Sequence, residues 1–136
     1  MGAVKSLTHT YTSNEYLLWY IEKNDLPKIE ELLTSKPQLV NENLSVNYKT
    51  TPLHRAAVNN NIEVVRLLLE KFAANIDLQT TAGETALMGA VKRYRTEIVE
   101  YLLSKGANAE IVSNSGLHVL DYAILQGLYD ISLIIY

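Results

Sequence analysis

Histidine is the residue type best suited to general acid–base or metal chemistry near neutral pH, and this chain of 136 residues has three: His9, His54 and His118. No two of them share the spacing that would place a pair of metal ligands on one helix face. The chain has no cysteine, which removes thiolate zinc sites, thiol nucleophiles and disulfides. The adjacent carboxylates Glu30 and Glu31 fall on a helical surface, where the expected state is solvated. No glycine-rich phosphate loop, His-Glu-x-x-His or Gly-x-Ser-x-Gly pattern occurs. No residue is nominated as a nucleophile with its base, so the expected chain is not an enzyme and carries neither cofactor nor metal.

The chemistry that remains is recognition. Lys92-Arg93-Tyr94-Arg95 combines three cations with an aromatic ring, and Tyr and Arg are over-represented among interface hot spots. One reading is an anchor for an acidic partner segment; the other is a solvated helix end. Twelve basic against fifteen acidic residues give a net charge of −3. That lacks the global field that draws a protein onto nucleic acid, so none is expected as a partner. Met1-Gly2-Ala-Val-Lys-Ser6 fits an N-myristoylation pattern, and membrane contact is expected only if Gly2 is acylated. No apolar run approaches the ~20 residues that span a bilayer. The expected location is the cytoplasm, with membrane association or the nucleus as alternatives.

The elements that position these residues come from an internal repeat. Thr51-Pro-Leu-His-Arg-Ala-Ala aligns with Thr85-Ala-Leu-Met-Gly-Ala-Val, 34 residues on, and Leu67-Leu-Leu-Glu-Lys71 aligns with Tyr101-Leu-Leu-Ser-Lys105 at the same offset. Ala74-Asn-Ile-Asp77 answers Ala107-Asn-Ala-Glu110 at 33, so one extra residue sits near Phe72–Ala74. A third copy starts at His118, and a weaker one precedes them around Leu17-Leu-Trp-Tyr-Ile21. Each copy reads as two short amphipathic helices. Leu53, Ala56 and Ala57 mark the first, and Val64, Val65, Leu67, Leu68 and Leu69 mark the second. Thr51-Pro52 reads as a helix N-cap with proline at the first position, and Gly106 as a C-terminal stop.

The period, Thr-Pro-Leu-His at 51–54, Ala-Ala at 56–57 and Lys-Gly-Ala-Asn at 105–108 resemble the ankyrin-repeat family. The resemblance covers residues 14–136. It implies an all-α solenoid of stacked helix-turn-helix pairs with β-hairpin-like fingers, preceded by a tail over 1–13. Four repeats are expected, about 14–46, 47–79, 80–112 and a shortened 113–136. A lone pair cannot bury its apolar face, so stability must come from stacking.

The resemblance also implies a non-catalytic interaction module that binds a protein through its concave face and fingers as part of a larger protein. The alternative is a regulatory or localising segment of a larger enzyme or membrane protein. Carried over residue by residue, the contact positions are Tyr48, Thr50, Val58 and Asn59 in the second repeat, then Thr81, Ala82, Glu84, Lys92 and Arg93 in the third. Asn114, Ser115, Leu117, Leu125 and Gln126 follow in the fourth, with Glu22 and Lys23 from the first. His54 is expected to make a structural hydrogen bond to backbone.

Four departures from the family pattern matter. Tyr94 stands where a glycine with positive φ is usual, so the turn either strains or relaxes. Phe72 replaces the glycine seen at 106, so that helix end needs different capping. Leu33 to Thr51 is a longer connection than Leu69 to Thr85. Finally, Tyr16 and Trp19 at the start, and Ile134, Ile135 and Tyr136 at the end, leave apolar groups without an evident cover. The expectation at the end is a chain cut from a longer protein or a surface open to self-association through the C-terminal helix.

Overall fold

The computed structural model describes residues 10–44 and 50–135. Within them the chain forms eight helices in four antiparallel pairs: α1 (Ser13–Glu22) with α2 (Leu26–Ser35), α3 (Pro52–Val58) with α4 (Ile62–Glu70), α5 (Ala86–Lys92) with α6 (Thr96–Ser104), and α7 (Val119–Leu125) with α8 (Tyr129–Ile135). The first helices stack α1–α3–α5–α7 and the second helices α2–α4–α6–α8, giving two layers. Small residues set the close spacing of the inner layer: Ala56, Ala57, Ala90 and Ala123 are all fully buried. Leu17, Ile21, Ile29, Leu33, Val64, Val65, Leu68, Ile98, Val99 and Leu102 fill the space between layers, also at 0% exposure. This is the two-helix repeat expected from the sequence, buried only by its neighbours.

Local sequence explains the helix ends. Thr12 caps α1, its hydroxyl accepting from the Glu15 N–H while the Glu15 carboxylate accepts from the Thr12 N–H. The first helix therefore starts at Ser13, inside the expected tail. The turn within every pair is closed by a residue with positive φ: Asn24 (55°), Asn60 (62°), Tyr94 (61°) and Gly127 (70°). At Tyr94 the N–H donates to the Val91 carbonyl at 3.1 Å, and Arg95 N–H donates to Ala90 at 2.8 Å. The same two bonds recur at Asn60–Asn61 and Gly127–Leu128. The turn at Tyr94 does not relax; the repeated hydrogen-bond pair holds a tyrosine in the left-handed region.

Second-helix ends differ as the sequence requires. At α6, Gly106 (φ 91°) turns the chain and Ala107 N–H reaches the Leu102 carbonyl at 3.0 Å. At α4 the positive φ moves to Ala73 (54°), one residue past Phe72, and Ala74 N–H closes on Leu68 instead. The inserted residue is absorbed in that wider loop. The long first connection folds into a 3-10 turn, Pro37–Asn41, that buries Leu39 and Val40, with Leu44 buried just beyond. The remainder of that finger, with Tyr48, lies outside the described residues, as do His9 and Gly2.

The other fingers are tight turns with hairpin hydrogen bonds and no regular strand among the described residues. Thr80 N–H donates to the Glu84 carbonyl at 2.8 Å and Ser113 N–H to Leu117 at 2.9 Å. Gly83 and Gly116 supply positive φ at their tips. The fingers also join each other, because Asn114 N–H donates to the Ala82 carbonyl at 2.9 Å. On the opposite connections a relay of Asn and Asp side chains caps successive loops. Asn41 Oδ1 accepts from Asn75 N–H, Asn75 from Asp77, Asp77 from Asn108 and Asn108 from Glu110. On the outer layer the Tyr101 hydroxyl donates to Glu70. Its pKa is pushed up to about 12, by partial burial first and the carboxylate second.

Candidate protein-binding surface

The third repeat supplies the charged run, and the fold divides it. Lys92 ends α5 and its ammonium pairs with the Glu84 carboxylate at 2.8 Å, above the ring of Tyr122. The Tyr122 hydroxyl donates to the same Glu84 oxygen at 3.2 Å and meets Ser113 Oγ at 2.9 Å. Lys92 is thus neutralised within a network that ties α5 to a finger and to α7. Arg95 Nε donates to the Val58 carbonyl at 3.1 Å, satisfying the open C-terminal end of α3. Arg93 is exposed and has no ion-pair partner among the described residues. The three cations do not form one patch: two stabilise the stack and Arg93 faces outward.

Arg93 borders a concave hollow of about 280 Å³ between the second and third repeats. Its walls include Thr50, Arg55, Val58, Ala82 and Glu84, with Gly89 in α5. Gly89 stands 34 residues after Arg55, in the same register, so the third repeat omits a side chain where the second has a long one. A Cβ at Gly89 would lie 3.2 Å from Val58 Cγ2. The small residue therefore both admits Val58 and keeps the hollow open. Arg55 is held in place by Glu22, both carboxylate oxygens at 3.0 Å from its Nη2, and Glu22 also accepts from Asn59 Nδ2 at 2.6 Å.

His54 is structural. Thr51 N–H donates to His54 Nδ1 at 3.2 Å, so the ring proton sits on Nε2, which reaches the Glu84 carbonyl at 3.1 Å. One imidazole thereby caps α3 and pins the next finger. Burial, the largest influence, lowers its pKa below the ordinary 6.5, against the opposing pull of the Leu78 and Glu84 carbonyls. The fourth repeat has Asp121 in this slot, accepting the His118 N–H at 2.9 Å, and that bond lowers the carboxyl's pKa. Among the described residues no group of three His, Cys, Asp or Glu could hold a metal ion.

The remaining expected contacts scatter. Thr50 departs from an exposed contact: it is 6% exposed, and its backbone closes the first finger onto Leu44 and Asn43. Val58 is half-buried at the hollow, Asn59 is engaged by Glu22, and Leu117 is half-buried against the core. Thr81, Ala82, Asn114 and Ser115 stay exposed on the fingers, with the Thr81 carbonyl accepting from Asn114 Nδ2. Gln126 donates to the Lys92 carbonyl at 3.3 Å. Glu22 and Lys23 are exposed, Lys23 lying over the Trp19 ring, and Leu125 is exposed at 72%. The motif reading missed Arg55 and Gly89, although their shared register was a signal that a side chain is dropped there.

Comparison with known proteins follows the same repeats. A family model described as ankyrin repeats (many copies) matches residues 53–103. The chain is 30% identical over 118 residues to mouse (Mus musculus) ankyrin repeat and SAM domain-containing protein 6, covering 87% of this chain and 13% of that protein. It is 45% identical over 74 residues to BRCA1-associated RING domain protein 1 of Caenorhabditis elegans, covering 54% of this chain and 10% of the relative. Serine/threonine-protein kinase VIK of Arabidopsis thaliana is 35% identical over 91 residues, 66% of this chain and 20% of the kinase. The chain thus spans a fifth or less of the length of these relatives. With a repeat read in its sequence, stacked helix pairs in its fold and these matches, the chain belongs to the ankyrin-repeat family.

Proposed function

We propose that this chain is a non-catalytic protein-interaction module that holds an acidic partner segment against its concave face. The observation that carries the reading is the hollow between the second and third repeats, with Arg93 at its rim, without an ion-pair partner among the described residues, and Arg55 held in its wall. Ankyrin repeats bind protein partners through a preorganised surface, so little ordering is needed on binding. Arg93 gives the surface an exposed cation that attracts carboxylates, and Ala82, Val58 and Gly89 leave room for an extended backbone. A second reading, a regulatory or localising segment of a larger protein, is favoured by the relatives, which carry their matching stretches inside chains several times longer.

The test is affinity capture from native lysate with the chain, an Arg93→Glu variant and an Ala82→Arg variant, each washed at low and high salt. Partners that both variants lose, and that high salt weakens, support a concave acidic-segment site. Capture unchanged by either substitution would refute it.

A further inference from the structure

The ends of the first helices fall in one register. Lys23, Asn59 and Arg93 each cap a first helix and immediately precede a turn residue with positive φ, Asn24, Asn60 and Tyr94. Four residues earlier, one helical turn back on the same side, stand Trp19, Arg55 and Gly89. Because α1 packs on α3 and α3 on α5, these positions form two parallel rows across the first-helix layer. Arg55, Gly89 and Arg93 border the hollow, so the rows lead from it to Lys23 and to Trp19, which is 47% exposed. In the fourth pair the cap is Gln126, uncharged and bonded to the Lys92 carbonyl, and the charged row ends at Arg93.

The carboxylates of this face are already engaged. Glu22 is held by Arg55 and Asn59, and Glu84 by Lys92 and Tyr122. Asp25, beside the first turn, accepts from the Lys28 N–H as the cap of α2. Lys23 and Arg93 are exposed and have no ion-pair partner among the described residues. The Lys23 ammonium lies 6.0 Å from the centre of the Trp19 ring. Packed helices sit ~8–10 Å apart, so two steps along the row separate the two cations by roughly 16–20 Å. An extended peptide advances ~3.3 Å per residue, so about six residues bridge them, and an even number turns both side chains to one side. A nucleic-acid strand, with a charge about every 3.4 Å of duplex, would also bring phosphates against Glu22 and Glu84.

We propose, resting on the concave-site reading above, that the acidic partner segment is an extended peptide with two carboxylates about six residues apart, one on Arg93 and one on Lys23, and an apolar side chain beside the second carboxylate on Trp19. The hollow by itself asks for one carboxylate; the row adds the second and the aromatic contact. Once one end is bound, the short link holds the other at high effective concentration, so the two contacts reinforce each other.

The experiment selects a phage-displayed library of random peptides, about 16 residues long, on the whole chain, with circular dichroism on every variant to verify folding. The expected enriched peptides carry two acidic residues about six apart, with an apolar residue next to one of them. For a synthetic copy of such a peptide, Lys23→Glu and Arg93→Glu should each weaken binding at least tenfold, and Trp19→Ala at least threefold. Replacing the peptide's acid that faces Lys23 by lysine should restore most of the binding to the Lys23→Glu chain. Deleting three residues between the two acids should cost as much as Lys23→Glu. Binding that needs Arg93 but ignores Lys23 and the peptide spacing would overturn the two-point span and leave the hollow reading standing. Peptides insensitive to both cations, or no enrichment at all, would overturn both. A single-stranded oligonucleotide held through the same cations in place of acidic peptides would overturn the peptide assignment.

Discussion

His54 shows how one residue joins the repeats. Its ring accepts from Thr51 and donates to Glu84, and burial depresses its pKa. The unfolded imidazole titrates near 6.5, whereas the folded one takes its proton only at lower pH. Between those values the unfolded chain binds more protons, so stability rises with pH. The contribution is complete above about pH 6.5 and is lost as pH falls toward the folded pKa. Thermal melts from pH 7.5 down to 5.5 should show a falling Tm for the native chain and a shallower fall for His54→Gln. Equal slopes for the two would remove His54 from the account. The residue's role was legible in the Thr-Pro-Leu-His motif. The fate of Lys92 and Arg95 was not, because nothing local reveals that Glu84, Tyr122 and the end of α3 are waiting for them.

The fingers and helix ends carry the logic of elements. Gly83 and Gly106 both have positive φ, but their surroundings differ. A Cβ at Gly83 would fall 2.5 Å from Asn114 Oδ1 and 2.8 Å from Asn114 N, whereas nothing lies within 4 Å of one at Gly106. Gly106→Ala should cost about 1 kcal/mol, the left-handed penalty alone. Gly83→Ala adds displacement of the adjoining finger backbone and should cost at least ~2 kcal/mol, because strained φ and a backbone clash combine. Chemical denaturation of both variants measures the difference; equal costs would mean that the fingers do not pack. At this scale helix number, order and the turn positions were readable from periodicity, since the apolar faces repeat at a fixed interval. The 3-10 turn at Pro37–Asn41 was not, because its apolar Leu39 and Val40 fit neither helix pattern. Tyr94 was misleading for the opposite reason: the local preference of a bulky residue yields to two backbone hydrogen bonds set by the pair around it.

As a whole the molecule is a short one-dimensional stack in which each pair is buried by its neighbours. Leu68 sits at 0% exposure in α4, at the centre of that stack. Leu68→Ala should cost ~2–5 kcal/mol and lower the midpoint of a single cooperative transition, because neighbouring repeats share the loss. An unchanged melting curve would contradict the stacking order. Whole-molecule function was legible only in kind. Composition and the absence of catalytic spacing led away from enzymes, and the repeat led to recognition. The hollow arises from Arg55 and Gly89 in register on adjacent helices, a juxtaposition that appears only when the repeats are stacked.

The most direct test of the concave site is photo-crosslinking in native lysate. A photoreactive amino acid would replace Ala82, exposed on a finger beside the hollow, and in a second protein Glu100, exposed on the outer helix α6. The account predicts discrete protein adducts from position 82, competed by unlabelled chain, and none from position 100. Competable adducts from position 100 with none from position 82 would contradict it.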